Sequence, residues 1–213
     1  MTQLILALDV SGRTEALRIG RQCAPHIDAI KVGYPLVLSA GLTIARDLAA
    51  TGLPLIADFK VADIPNTNRL IAEQVFSSGF SAIICHGFPG SDSAEACIES
   101  AHDHDGECYL VAEMSHPGAE EFFHGGVAEH IAELAVTLGA DGIIAPATRP
   151  DRVRLLRGIV RGKKIYSPAQ SAGAVLEAVR RRGAGHQHRE VHGHVRVVRR
   201  DVRPAPGPSR QAE

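Results

Sequence analysis

The sequence predicts an α/β protein in which parallel strands alternate with helices. Short aliphatic runs recur along most of the chain, and longer amphipathic segments separate them. Alternation of this kind gives parallel strands that are joined by helical crossovers. At 213 residues the chain is long enough for one sizeable domain and too short for two. The strands are therefore expected to belong to a single sheet.

Seven aliphatic runs are the predicted strands, and the segments between them supply the predicted helices. The strands are 4–8, 29–32, 55–57, 82–85, 108–112, 142–145 and 164–166. The helices include 14–23, 67–77, 92–102, 127–138 and 149–160. Seven units in so short a chain indicate a compact (β/α)8 TIM barrel whose last β/α unit is doubtful. A doubly wound open sheet is the alternative, but no Gly-x-Gly-x-x-Gly motif follows the first strand.

Polar side chains at the strand ends favour the barrel over the open sheet. Nearly every predicted strand is followed by residues capable of chemistry: Asp9, Lys31, Asp58, Lys60, His86, Glu113, Ser115, Thr148 and Ser167. A barrel collects these ends around one mouth, whereas an open sheet spreads them along a line. Polar residues end strands in many folds, which explains one of these positions but less easily the whole ring.

Composition is that of an ordinary globular protein, with 45% hydrophobic and 22% charged residues. No apolar run has the length of a membrane span, and no charged-then-apolar leader precedes Leu4, so a cytoplasmic protein without a membrane partner is expected. The four cysteines form no Cys-x-x-Cys pair. They are expected to be reduced core thiols rather than disulfides or zinc ligands.

Four charged residues at the ends of neighbouring strands form the candidate catalytic centre. Asp58 and Lys60 are two apart, so an extended backbone points both to the same side. Lys31 ends the preceding strand, and Asp63 follows three residues after Lys60. Alternating signs allow the charges to satisfy one another while one remains available to a substrate. A purely structural salt-bridge network is the alternative, but the position at the barrel mouth favours catalysis.

The residues around this centre resemble those of the orotidine 5'-phosphate decarboxylase family. The central motif is Asp58-x-Lys60-x-x-Asp63-Ile64-Pro65-x-Thr67. The supporting motifs are Leu6-Ala7-x-Asp9, Lys31-x-Gly33-x-Pro35, His86-Gly87, Glu113-Met114-Ser115-His116-Pro117-Gly118 and Ser167-Pro168. The resemblance covers residues 3–168 in order. Related sugar-phosphate decarboxylases and synthases share Asp-x-Lys-x-x-Asp, but the Ile-Pro-x-Thr continuation points to the orotidylate enzyme.

The resemblance implies a role for each charged residue in decarboxylating orotidine 5'-phosphate to UMP. Lys60 would protonate C6 of the pyrimidine after carbon dioxide leaves. Asp58 would lie against the substrate carboxylate, and Lys31 would keep Asp58 ionised and contact the ribose. Asp9 would accept a hydrogen bond from a ribose hydroxyl. No metal and no organic cofactor is implied.

The resemblance also implies a homodimer and a set of further contacts to the substrate. Asp63, Ile64 and Thr67 would enter the site of the neighbouring subunit. Ser115 would contact the pyrimidine ring, and the loop through Pro117-Gly118 would close over it. On the phosphate side the implied contacts are Pro168 and Gln170, although the family's glycine-rich loop is shortened here to Ala169-Gln170-Ser171-Ala172-Gly173.

The chain departs from the family pattern after this loop. Residues 1–182 are predicted to form the barrel domain, with an incomplete eighth unit. Residues 183–213 are predicted to be a basic tail rich in Pro, Arg and His that is disordered or out of frame. Residues 180–213 carry nine Lys/Arg against three Asp/Glu and contain no Leu, Ile or aromatic residue. Without an eighth strand the edge of the barrel would be exposed.

A shifted reading frame would explain the tail. His-Gln-His-Arg-Glu-Val at 186–191, read one base forward, can encode Ile-Asn-Ile-Gly-Arg-Ser, which is the strand and Gly-Arg-Ser that the resemblance requires. We hypothesise a frameshift from about residue 183. The His-x-His pairs at 102/104, 186/188 and 192/194 are expected to be solvated or out of frame rather than metal ligands. No specific nucleic-acid partner is expected either, because no motif accompanies the basic residues.

Two other functions stay open at this point. One is a phosphosugar decarboxylase or synthase on the same barrel, which would need magnesium and different residues after Asp63. The other is a nucleotide-binding homologue with impaired catalysis, because the phosphate-binding region departs from the family pattern.

Overall fold

The computed structural model describes residues 3–168 and the backbone of 195–199. Its strands are β1 (Leu4–Leu8), β2 (Ala29–Gly33), β3 (Leu55–Val61), β4 (Ala82–His86), β5 (Glu107–Val111), β6 (Gly142–Ile144), β7 (Lys164–Pro168) and β8 (Val195–Arg199). The seven strands predicted from the aliphatic runs are confirmed. The largest difference is in β3, which continues four residues beyond Ala57 and so includes the charged Asp58 and Lys60.

The helices are α1 (Arg13–Cys23), α2 (Tyr34–Ala40), α3 (Ile44–Leu48), α4 (Pro65–Ser77), α5 (Ser91–His102), α6 (Val127–Thr137) and α7 (Pro150–Val160). The five predicted helices are confirmed with small shifts at their ends. Helix α4 begins at Pro65 rather than at residue 67, because the first helical position needs no amide hydrogen and suits the fixed φ of proline. The short α2 and α3 were not predicted, since seven and five residues give too little periodicity to detect.

The strands close into a barrel in sequence order. Each consecutive pair from β1 to β7 is parallel, whereas β8 runs antiparallel to both β7 and β1. The prediction of an exposed edge is therefore wrong for the described residues, since β8 pairs with both edge strands. The doubtful eighth unit does contain a strand, but its direction is opposite to that of a regular (β/α)8 barrel.

Alternate residues of each strand build two apolar layers. One set points into the barrel and consists of Ile5, Ala29, Ile56, Ala82, Ile84, Tyr109, Val111, Ile144 and Tyr166. The other set packs against the helices, with Leu6, Ile30 and Ile83 among its fully buried members. Burial on both faces explains why the strands are continuous aliphatic runs and not alternating patterns. Packing of this kind fixes which strand-end side chains face the barrel mouth.

Three cysteines lie in the layer between strands and helices. Cys85, Cys97 and Cys108 are buried free thiols, and the Sγ atoms of Cys85 and Cys108 are 3.4 Å apart. The burial of these three cysteines confirms their predicted place in the core, whereas Cys23 is only half-buried. Within the ranges given above, no helix is both long enough and apolar enough to span a membrane.

Candidate active site

The end of β3 turns two charged side chains into the barrel mouth. Asp58 and Lys60 both line the pocket. Phe59 between them points away from the barrel interior into the apolar layer under the helices, where it is buried and stacks on Tyr34 with ring centroids 5.0 Å apart. The pairing of β3 with β4 shifts register between Ala57 and Val61, so this stretch of β3 is longer than the β4 segment beside it. A bulge of this type commonly re-aims side chains near active sites.

Lys60 has an unusual backbone conformation within this bulge. Its φ is 47°, in the left-handed region that a side chain with a Cβ rarely adopts. A non-glycine residue in that region costs about 1–2 kcal/mol. Strain of this kind collects at functional sites, where the surrounding structure holds the residue in place. The conformation brings the Lys60 ammonium next to Asp58.

Asp58 is held between two ammonium groups. Its Oδ1 accepts a hydrogen bond from Lys60 Nζ at 2.6 Å, and its Oδ2 accepts one from Lys31 Nζ. Lys31 comes from β2, which pairs in parallel with β3. The side chains of Lys31 and Asp58 are each 11% exposed, whereas that of Lys60 is 38% exposed. Lys60 is therefore the member of the array that a ligand can reach most easily.

The charge state of Asp58 follows from these contacts. Burial by itself would raise the pKa of the Asp58 carboxyl. The ammonium groups of Lys31 and Lys60 more than offset that effect, and they hold the pKa below its ordinary value of 3.8. Asp58 is thus an anion throughout the neutral range.

A pocket of about 490 Å³ opens above this array at the carboxyl ends of the strands. Five residues predicted for the site line it together: Asp9, Lys31, Asp58, Lys60 and Ser115. Its other polar lining residues are Tyr34, Glu113 and His116. The carboxylate of Asp9 lies against the end of β2, where a Cβ added to Gly33 would be 3.3 Å from Asp9 Oδ1. Glycine at that position leaves space for the carboxylate.

Asp63, Ile64 and Thr67 do not line this pocket in the described part of the chain. Asp63 and Ile64 are exposed, and Thr67 is half-buried at the start of α4. The Asp63 carboxylate accepts a hydrogen bond from the Ile64 amide at 2.7 Å, so within one chain it does not join the array. Pro168 is the last residue of β7, and Gln170 lies outside the described residues.

Asn68 fixes the turn that carries Asp63 and Ile64, and sequence reasoning missed it. Its fully buried side chain accepts a hydrogen bond from the Asp63 amide at 3.0 Å and donates to Ser93 Oγ at 2.8 Å. Ser93 Oγ in turn donates to the Asp63 carbonyl at 2.8 Å. A buried asparagine in a helix has no periodic signature that would reveal such a role.

A second charged cluster adjoins the pocket, which Glu113 lines while the other members, Arg149, Arg152 and Glu129, do not. Glu113, which is 1% exposed, accepts hydrogen bonds from Arg149 at 2.6 Å and Arg152 at 3.1 Å. Arg152 also pairs with Glu129 through both guanidinium Nη atoms, and this contact lowers the pKa of Glu129. Sequence analysis placed Glu113 among the polar residues that follow the strands. Its partners Arg149 and Arg152 lie 36 and 39 residues further along the chain, so the sequence pattern did not identify them.

His86, at the end of β4, is buried and uncharged. Burial, followed by the positive charge of Lys60, lowers its pKa from 6.5 to about 4, although Asp58 acts in the opposite direction. Its Nδ1 has no hydrogen-bond partner among the described residues. In the same part of the chain, no three His, Cys, Asp or Glu side chains are grouped so that they could hold a metal ion.

The fold and the pocket define an enzyme of the barrel class, with an ammonium–carboxylate–ammonium array at the carboxyl-end mouth. The family model described as "Orotidine 5'-phosphate decarboxylase / HUMPS family" matches residues 2–213. This chain therefore belongs to that family.

Named relatives agree with this assignment. The orotidine 5'-phosphate decarboxylase of Methanococcoides burtonii is 51% identical over 181 residues, which cover 84% of this chain and 83% of the relative. That of Methanosarcina mazei is 55% identical over 172 residues, or 80% of this chain and 77% of the relative. The enzyme of Methanocaldococcus jannaschii in complex with the inhibitor BMP superposes with a TM-score of 0.77 at 42% identity, covering 80% of this chain and 78% of that chain.

Replacing Lys60 will reveal the strain at the end of β3. Lys60→Gly and Lys60→Ala both remove the ammonium, but only glycine adopts the left-handed conformation without strain. We expect Lys60→Gly to have the higher free energy of unfolding by about 0.5–1 kcal/mol in urea denaturation. The matched pair Lys163→Gly and Lys163→Ala should show the opposite order, because Lys163 is not among the residues with positive φ. Equal stability of the two Lys60 variants would contradict the assignment of strain.

The lowered pKa of His86 predicts a specific loss of stability in acid. As the pH falls below 6.5 the unfolded chain binds a proton on this histidine, while the folded protein does so only near pH 4. The free energy of unfolding of wild type should therefore fall more steeply between these values than that of His86→Asn. Urea denaturation across that range measures both slopes, with His130→Asn at an exposed position as the control. Parallel profiles for wild type and His86→Asn would refute the assignment.

Proposed function

We propose that this chain decarboxylates orotidine 5'-phosphate to UMP, a step of pyrimidine biosynthesis. The observation that carries the proposal is the Lys31–Asp58–Lys60 array, which faces an open pocket in a member of this family. The relatives that are named orotidine 5'-phosphate decarboxylases support the same reaction. The phosphosugar alternative shares the Asp-x-Lys-x-x-Asp motif, but the Ile64-Pro65-x-Thr67 continuation and the named relatives favour the orotidylate reaction.

The chemistry of the reaction explains why an ammonium group is needed. When the bond between C6 and the carboxylate breaks, its electron pair stays on C6 in the plane of the ring, where no π system delocalises it. A fixed positive charge in a pocket shielded from water stabilises such a carbanion. The proposed proton donor is Lys60, whose Nζ–H bond breaks as the C6–H bond forms. Lys60 then regains a proton from solvent.

Asp58 holds Lys60 in place and acts on the substrate through its charge. With one oxygen on each lysine, its carboxylate fixes both ammonium groups relative to the pocket. A substrate carboxylate placed beside Asp58 is repelled, and this repulsion is relieved as carbon dioxide leaves. Interactions that are more favourable in the transition state than in the ground state raise the rate. The proposal therefore assigns Asp58 both an orienting and an electrostatic role.

The residues proposed to bind the rest of the substrate surround this array. Asp9 and Lys31 line the pocket on the β1 and β2 side and are proposed to contact the ribose. Ser115 lines the opposite side, after β5, and is proposed to contact the pyrimidine ring. Pro168 and Gln170 are proposed to lie near the phosphate. No metal or organic cofactor takes part in the proposed steps, because Lys60 supplies both the charge and the proton.

A homodimer would complete the array. Asp63, Ile64 and Thr67 are proposed to reach the site of the neighbouring subunit, where Asp63 would become the fourth charge. The exposure of Asp63 and Ile64 supports this arrangement, and Ile64 is 66% exposed, which is unusual for an isoleucine. Hydrogen bonds from Asn68 and Ser93 fix the turn, so binding of a partner to these three side chains would cost little conformational entropy. We place the dimer in the cytoplasm, and the proposal includes no nucleic-acid or membrane partner.

The proposed activity is tested by following the ultraviolet absorbance of orotidylate, which falls on conversion to UMP, in a buffer without added metal. Lys60→Ala should lower kcat by at least 10²–10⁴-fold, the usual contribution of a positioned proton donor. Lys163→Ala, which removes an ammonium bonded to the Ala140 carbonyl, should leave kcat near that of wild type. Equal activity of Lys60→Ala and wild type would exclude Lys60 as the donor.

The second candidate function is nucleotide binding without efficient turnover. The observation that favours it is the sequence after Pro168, where the Gly-Arg of the family pattern is missing. A wild-type chain that does not turn over orotidylate in that assay, but binds UMP tightly in a direct titration, would support this candidate.

We also propose that residues 183–213 arise from a shifted reading frame and do not form a natural domain tail. Two observations support this: the shifted frame can encode Ile-Asn-Ile-Gly-Arg-Ser, and β8 is antiparallel in a barrel whose other strands are parallel. Resequencing the gene should reveal a one-base insertion or deletion near residue 183. A confirmed, uninterrupted frame through Glu213 would contradict the proposal.

A further inference from the structure

The charged cluster around Glu113, at the edge of the pocket, joins several elements at one point. Glu113 follows β5, Arg149 precedes α7, and Arg152 belongs to the first turn of α7. The two arginines bind different oxygens of the Glu113 carboxylate, at 2.6 Å for Arg149 and 3.1 Å for Arg152. A buried carboxylate is costly unless it is paired and hydrogen-bonded, and here both oxygens are used.

Arg149 does more than neutralise Glu113. Its Nη2 donates a hydrogen bond to the Met114 carbonyl at 3.0 Å, and its Nη1 lies 3.4 Å from Glu120. One planar guanidinium therefore contacts three positions of the segment between β5 and α6. A lysine could not make these contacts together, because its ammonium is a compact charge without the fixed fork of donors.

Arg152 secures the same carboxylate from the other side. Its two Nη atoms pair with the two oxygens of Glu129 on α6, at 2.7 Å and 2.9 Å. Bidentate pairing of this kind restricts the orientation of the guanidinium. Glu113 is thus immobilised by Arg152, and it can hold Arg149 in a single orientation.

The location of the Met114 contact gives the cluster a functional meaning. Glu113 to His116 all line the substrate pocket, whereas Arg149 and Arg152 do not. The carbonyl that Arg149 binds belongs to the residue immediately before Ser115. A network that only tied α6 to α7 would not need a bond to this carbonyl.

We propose that Arg149, oriented by Glu113, is a positioning residue that sets Ser115 and the start of the β5–α6 segment against the substrate. It acts through the Met114 carbonyl and does not touch the substrate itself. The kinetic part of this inference rests on the proposed function, since it takes Ser115 as a contact to the pyrimidine ring. The structural part, which is the restraint on residues 114–116, does not depend on that function.

Arg149→Lys tests the inference because it keeps a positive charge beside Glu113 while removing the simultaneous bond to Met114. Arg154→Lys is the matched control, since Arg154 lies on α7 and pairs with Asp151 at an exposed position. Two measurements are made on the full chain. Amide hydrogen exchange reports the restraint on residues 114–116, and steady-state kinetics with orotidylate report KM and kcat separately.

We expect faster exchange at residues 114–116 in Arg149→Lys and unchanged exchange in Arg154→Lys. KM should rise about tenfold in Arg149→Lys, the effect of one lost charge-assisted hydrogen bond, with a smaller change in kcat. Exchange and KM equal to those of Arg154→Lys would overturn the inference, and so would a uniform rise in exchange over the whole chain. If wild type does not turn over orotidylate, the proposed function fails, and local exchange at 114–116 still decides the positioning role.

Discussion

The rest of the site depends on one buried carboxylate, Asp58, that is shared between two ammonium groups. Alone at the end of a buried strand this charge would be strongly unfavourable, and Lys31 and Lys60 make it stable. Because each oxygen of Asp58 binds a different lysine, the position of the carboxylate fixes both cations. Lys60 then extends into the pocket as a pre-oriented charge, which is what the proposed carbanion chemistry requires.

The barrel provides the geometry for this arrangement, and a local departure from regular strand structure completes it. Parallel pairing of β2 with β3 places Lys31 beside Asp58, since both lie near the carboxyl ends of neighbouring strands. The register shift in β3 and the positive φ of Lys60 then turn the second lysine toward the same carboxylate. The positive φ of Lys60 lowers the stability of the fold, and backbone strain of this kind is common at functional sites. On the other side of the pocket, Glu113 and Arg149 restrain the segment that follows β5.

Much of this could be predicted from the sequence because the signals are local. Aliphatic runs located seven strands, and the two-residue spacing of Asp58 and Lys60 predicted that both would face the mouth. The contacts that were missed depend on residues far apart in the chain, such as Glu113 with Arg149, or on a buried side chain without periodicity, such as Asn68. The conformation of Lys60 is likewise set by tertiary packing, which no local pattern encodes.

The most direct test of the central claim is the pKa of the Asp58 carboxyl, measured by carbon NMR on protein labelled at aspartate side chains. With both ammonium groups in contact, the pKa should lie below the ordinary 3.8, and Lys31→Met should raise it. A value at or above 3.8 in wild type, unchanged by Lys31→Met, would show that burial dominates and that the two lysines do not hold Asp58 as an anion.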